Sequence, residues 1–170
     1  MMRHSSNNLS LVLINIRSVY NTAAIFRTAD GAGIKKIYLA GITPSPNTPL
    51  GLPRKDFVKI SLGAERNISF ESYAQPLRLV KKLKAEGARL VALELSDKSV
   101  DFRSLRITAG EPVAIILGNE VDGIPPKILN LCDDVAQIPM RGGKESLNVS
   151  VAAGIFMYHI CDQWYDQIKK

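Results

Sequence analysis

The sequence predicts an α/β domain: a mainly parallel β-sheet flanked by helices. Three observations carry that reading. Short apolar runs rich in Val, Ile and Leu recur along the chain, as strands buried on both faces require. Longer stretches with helical spacing separate them, the alternation that builds parallel crossovers. No repeat, low-complexity block or linker breaks the pattern. With 170 residues, 46% hydrophobic and 22% charged, the chain suits one domain with its own core, and neither disorder nor a coiled coil fits that composition.

Taken in order, SLVLI at 10–14, KIYLA at 36–40, ISF at 68–70, RLVALEL at 89–95, VAIIL at 113–117 and DVAQI at 134–138 predict strands. Between them, helices are expected at 22–32, 56–62, 74–85, 125–132 and 147–167. Asn21 is placed to cap the first of these. In the last, Val149, Ala152, Ala153, Phe156, Ile160 and Trp164 make one apolar stripe, and Val151, Ile155, Tyr158 and Cys161 make a second. Gly154 in mid-helix costs ~1 kcal/mol relative to Ala, which close approach of another backbone would justify. A homodimer contact is therefore expected there, with deep burial inside one subunit as the alternative. Residues 1–8 form a flexible start, and 9–170 a single domain. The stretch GITPSPNTPLGLPRKD at 41–56 carries four prolines and reads as a surface loop or a substrate-contacting one.

Composition narrows the function. No apolar run approaches the ~20 residues of a membrane span, and MMRHSSNN has no signal-peptide core, so a cytoplasmic protein is expected. Cys132 and Cys161 read as buried, reduced thiols. Neither His4 nor His159 has partners at ligand spacing, so no metal site is expected. The net charge of +6 favours a polyanionic partner, with cations clustered in PRK at 53–55, KKLK at 81–84 and the C-terminal KK.

Three polar constellations follow apolar runs. NTAAIFRTADGAG at 21–33 carries Asn21 and Arg27, LGNEVDGIP at 117–125 carries Asn119 and Glu120, and IPMRGGKESLNVSVAAGIF at 138–156 carries Ser146, Asn148 and Ser150. Helix capping accounts for one polar residue before the last helix, not three. In a parallel sheet the strand ends share one edge, where ligands bind, so Arg27, Asn119, Glu120, Ser146 and Asn148 could converge on one cleft. A Walker phosphate loop and a complete G-x-G-x-x-G are absent.

These three segments, in this order and spacing, resemble the signatures of the SpoU (TrmH) family of RNA ribose 2′-O-methyltransferases, within the SPOUT class. The resemblance runs from about Leu11 to Ile160. It implies a C-terminal deep trefoil knot, S-adenosylmethionine as cofactor, RNA (tRNA ahead of rRNA) as substrate, and a homodimer with its site near the interface. By motif match, Asn21, Arg27, Glu120, Ser146 and Asn148 would be catalytic. Leu93, Glu94, Leu117, Gly118, Asn119, Ile138, Met140, Ser146 and Leu147 would line the cofactor site, and Arg17, Arg27, Arg54, Lys55, Arg141 and Lys144 would meet RNA. Val121 stands where many relatives carry glycine, and RGGKE at 141–145 is not the commonest approach to SLNVS. Only about eight residues precede the first strand, so target choice is expected to fall to the dimer surface, the proline-rich loop or an accessory RNA-binding protein. A non-catalytic RNA- or cofactor-binding module is the alternative.

Overall fold

The computed structural model describes residues 8–168. The expected flexible start, with His4, and the terminal lysine pair lie outside the described residues, apart from Asn8. Strands β1 (Leu9–Ile14), β2 (Lys36–Ala40), β3 (Ser69–Tyr73), β4 (Arg89–Leu93), β5 (Val100–Asp101), β6 (Val113–Leu117) and β7 (Asp134–Gln137) form one sheet. Its order is β3-β2-β1-β6-β4-β7-β5, and every neighbouring pair is parallel. The helices are α1 (Val19–Ala32), α2 (Lys55–Ser61), α3 (Pro76–Ala85), α4 (Pro126–Leu129) and α5 (Val149–Ile168).

Side chains alternate across β1, so the sheet buries two cores. Leu11 and Leu13 join Phe26, Phe57, Phe156 and Trp164 beneath α1, α2 and α5. Val12 and Ile14 join Leu79, Val80, Leu83 and Ile128 beneath α3 and α4. The central strands β1 and β6 are buried on both sides, which is why they read as unbroken apolar runs. At one edge, β3 turns Ser69, Glu71 and Ser72 to solvent, and at the other β5 has two residues, too few for a sequence signal. The expected strand at 68–70 extends to Tyr73 and the one at 89–95 stops at Leu93. The helix expected over 125–132 is a single turn.

One expectation is corrected. Ser18, not Asn21, caps α1: its Oγ accepts from the Asn21 N–H at 3.2 Å, which starts the helix earlier and frees the Asn21 side chain. Gly154 lies where α5 meets α1 of the same chain. A Cβ there would meet Thr28 Cγ2 of α1 at 3.3 Å, so the glycine serves the packing of α5 on α1 within the chain. The second stripe of α5 is nonetheless open in the single chain, with Val151, Ile155 and Tyr158 exposed by 51%, 40% and 46%, whereas Cys161 is buried.

The root of the proline-rich segment is fixed. The buried Thr43 Oγ1 accepts from the Ile16 N–H at 3.1 Å and lies 2.9 Å from both the Leu13 and Ala40 carbonyls, tying the ends of β1 and β2 together. Thr43→Val, which keeps the shape, should lower the unfolding free energy by about 1–3 kcal/mol by orphaning that N–H; urea denaturation reads it. Burial pushes the Cys161 thiol up to about 12 and the half-buried Cys132 thiol up to about 11. Both are therefore neutral at pH 8, and a thiolate-selective reagent should label Cys161 only after unfolding.

Candidate functional site

Because all strands are parallel, the chain leaves β1, β4, β6 and β7 at one edge of the sheet. The segment 138–148 then returns from β7, near one side of the sheet, to α5, which packs against α1. It crosses the ends of β4 and β6 and closes a cavity of about 220 Å³. Leu93, Glu94, Leu117, Gly118, Asn119, Ile138, Met140, Ser146 and Leu147 all line this cavity, as does Glu120. Gln137 and Glu145 also line it, together with the exposed Leu95 and Val121 at its rim. These were missed because nothing in their local pattern separates them from ordinary strand-end and loop residues.

The loop after β6 is built to stay close to its strand. Asn119 Oδ1 accepts from the Val121 and Asp122 N–H groups, each at 2.8 Å, so this amide organises its own turn. A Cβ on Gly118 would lie 2.5 Å from the Gly123 carbonyl oxygen and 2.6 Å from the Ile124 nitrogen, and backbone cannot yield. Glu94 holds the far side: Oε2 accepts from the Ile124 N–H at 2.8 Å and Oε1 from the Leu95 N–H at 3.0 Å. Its carboxylate thus clamps the β4 and β6 loops together as well as facing the cavity.

Beside the cavity, three distant segments meet. Asn148 Oδ1 accepts from the Ser150 N–H at 2.8 Å and from Ser150 Oγ at 2.7 Å, capping α5. Its Nδ2 donates to Asn21 Oδ1 at 3.2 Å, and Asn21 Nδ2 in turn donates to Glu120 Oε1. Asn21 is buried, and it links the residue before α5 to the loop after β6. The polar residues ahead of α5 therefore divide their work: Asn148 with Ser150 caps the helix and joins the chain of amides, while Ser146 faces the cavity.

Arg27 stands apart. It lies six residues beyond Asn21 on α1, about 9 Å along the axis, exposed, with no ion pair or hydrogen bond among the described residues. Asp30, three residues further on, accepts from Asn67 at 3.1 Å. Of the other cations expected to meet RNA, Arg17 pairs with Asp122 and Arg54 with Asp56, each at 2.9 Å. Lys55 and Lys144 are unpaired among the described residues, and the charge of Arg141 acts on Asp101.

The cavity wall carries three carboxylates, Glu94, Glu120 and Glu145, and neither Lys nor Arg. Such a wall suits a cation and disfavours a phosphate. A sulfonium nucleoside with an ammonium group fits this charge, with Leu93, Leu117, Ile138 and Leu147 as apolar surface for its base. Gly118→Ala should force the β6 loop from its strand and cost about 2 kcal/mol or more. The check is a thermal melt with S-adenosylhomocysteine: the wild type should be stabilised by the ligand, and the variant should not.

The SpoU rRNA Methylase family model matches residues 8–158. The tRNA (guanosine(18)-2′-O)-methyltransferase of Aquifex aeolicus is 33% identical over 144 residues, covering 85% of this chain and 64% of that protein. The chain thus spans a little under two thirds of that relative's length. Among solved structures, the A. aeolicus TrmH/SpoU tRNA modifying enzyme superimposes with a TM-score of 0.80 at 30% identity, over 94% of this chain and 77% of that one. An AdoMet-bound rRNA methyltransferase from Sinorhizobium meliloti gives a TM-score of 0.79 at 30% identity, over 89% of this chain and 54% of that one. The three-segment site, the parallel sheet and the family match agree: the chain belongs to the SpoU (TrmH) family.

Proposed function

We propose that the protein is a cytoplasmic S-adenosylmethionine-dependent methyltransferase that modifies a ribose 2′-hydroxyl of structured RNA, with tRNA favoured. The observation that carries this is the cation-friendly cavity fused to the Asn148–Asn21–Glu120 chain. The tRNA methyltransferase among its relatives and the AdoMet-bound neighbour support the substrate and the cofactor. When bound, S-adenosylmethionine supplies a methyl group already made electrophilic by the sulfonium. The chain's own residues then have to exclude water, align the hydroxyl and let it lose a proton. Leu93, Leu117, Ile138, Met140 and Leu147 would hold the cofactor. Glu94 and Asn119 would fix its loops, and Glu120, held by Asn21, would keep the carboxylate wall in place. In this reading the crossing of 138–148 completes the trefoil knot that the resemblance implies.

Arg27 would clamp the ribose or the neighbouring phosphate and stabilise the developing oxyanion; its guanidinium is too basic to take the proton. Its place on the surface has a counterpart in assembly. Tyr20, Ala24, Arg27 and Gly31 form one helical stripe of α1, and Val151, Ile155 and Tyr158 form another on the parallel α5. Tyr20 is 63% exposed, so an open, largely apolar face surrounds Arg27. A second copy covering this face would make a homodimer and bring Arg27 into a composite site.

The reaction is tested by incubating the protein with methyl-labelled S-adenosylmethionine and RNA from cells lacking its gene, then digesting with alkali. Label in alkali-resistant dinucleotides is expected, because a 2′-O-methyl group blocks cleavage of its own linkage; label in mononucleotides would mean base methylation and refute the proposal. Arg27→Ala should bind S-adenosylhomocysteine as the wild type does while transfer falls on the order of 100-fold. Equal loss of both would remove Arg27 from its role. Ile155→Glu should shift the protein from dimer to monomer in light scattering.

A further inference from the structure

The KKLK cluster expected from the sequence lies on α3, away from the cavity and the α1–α5 face. Helix α3 buries Leu79, Val80 and Leu83 against the second core and turns Arg78, Lys81 and Lys82 outward. Helix α4 touches α3 and contributes Lys127. Neither helix contains a carboxylate, whereas the described outer face of α5 ends in Asp162 and Asp166. The outer faces of α3 and α5 are therefore unlike: that of α3 and α4 carries cations and no carboxylate, that of α5 apolar and acidic residues.

Not all these cations have structural work. Lys84 donates to the Leu131 carbonyl and pairs with Asp133 at 3.1 Å. Lys82 donates to Tyr73 Oη at 3.0 Å and lies 3.9 Å from Glu86. Arg78, Lys81 and Lys127 have no ion pair or hydrogen bond from their side chains among the described residues. Arg78 and Lys81 stand three residues apart, hence on one side of the helix. Their position matters as much as their freedom. Arg78 is in the first turn of α3, whose Pro76 packs within 3.4 Å of a Cβ built on Gly41, at the same edge of the sheet as the cavity. Lys127 begins only four residues after Gly123, which lines the cavity. The basic stripe thus starts at the same edge of the sheet as the site and runs down the sheet face that a second copy on α1 and α5 would leave open.

We infer that Arg78, Lys81 and Lys127 form a docking surface for the sugar–phosphate backbone of the substrate RNA, holding the body of the molecule while the target ribose enters the site. This rests on the proposed RNA substrate. Unpaired cations recognise phosphate without reading sequence, so the surface supplies affinity and register rather than choice of base.

The test uses the full chain, bulk tRNA as probe, and a triple reversal, Arg78→Glu, Lys81→Glu and Lys127→Glu. A control reversal of Lys35, Lys59 and Arg66 to Glu changes the net charge by the same amount at the amino edge and on the α1 side. The α3–α4 triple should raise the Kd for tRNA at least about tenfold at moderate salt and reduce the slope of log K against log salt by roughly 2–3. Calorimetric binding of S-adenosylhomocysteine should be unchanged, and the control should bind tRNA like the wild type. Wild-type affinity and slope in the α3–α4 triple, or equal weakening by the control, would overturn the docking surface and leave the proposed reaction standing. Failure of the wild type itself to bind tRNA, with S-adenosylhomocysteine still bound, would overturn the surface together with the RNA substrate.

Discussion

The site depends on one buried amide. Asn21 spans segments 99 and 127 residues away along the chain, donating to Glu120 and accepting from Asn148. No other described side chain joins the start of α1, the loop after β6 and the cap of α5. Each partner has a second duty: Glu120 faces the cavity and Asn148 starts α5. A buried Asn bonded at both ends of its amide is costly to disturb, since removing one partner leaves the others desolvated and unpaired. Folding and site geometry are therefore fixed by the same contact.

Around that junction the fold separates charge by place. The cavity holds carboxylates, of which Glu94 is bound to two backbone N–H groups and Glu120 to Asn21. The cations lie outside it, on α1, on the crossing segment and along α3 and α4. The proposed methyl donor, a cation, and the proposed RNA substrate, a polyanion, need opposite environments within a short span. The parallel sheet supplies them by gathering many loops at one edge, where each can carry its own sign of charge.

Much of this was legible in the sequence. Apolar runs placed six strands within a few residues, and the three polar segments pointed to one edge, where the nine residues expected around a cofactor do line one cavity. What was not legible depended on neighbours distant in the chain. Asn21 read as a cap because Ser18 three residues earlier offered the same chemistry, and only the fold shows which side chain turns inward. The contact of Gly154 with Thr28 joins α5 to α1, which no local pattern reveals. The double role of Glu94 is set by the approach of Ile124, 30 residues away. Arg27 carried the motif but not its environment, which in a single chain is solvent.

The most direct test of the central role of Asn21 is a calorimetric titration of Asn21→Leu with S-adenosylhomocysteine. Leu keeps the branched outline of Asn without its hydrogen-bonding groups, and Asn21 does not line the cavity, so a binding site made only of direct contacts would be indifferent to the change. If the amide junction holds the cavity in shape, affinity should fall at least about tenfold while the circular dichroism spectrum stays that of the wild type. Wild-type affinity in the folded variant would contradict the account.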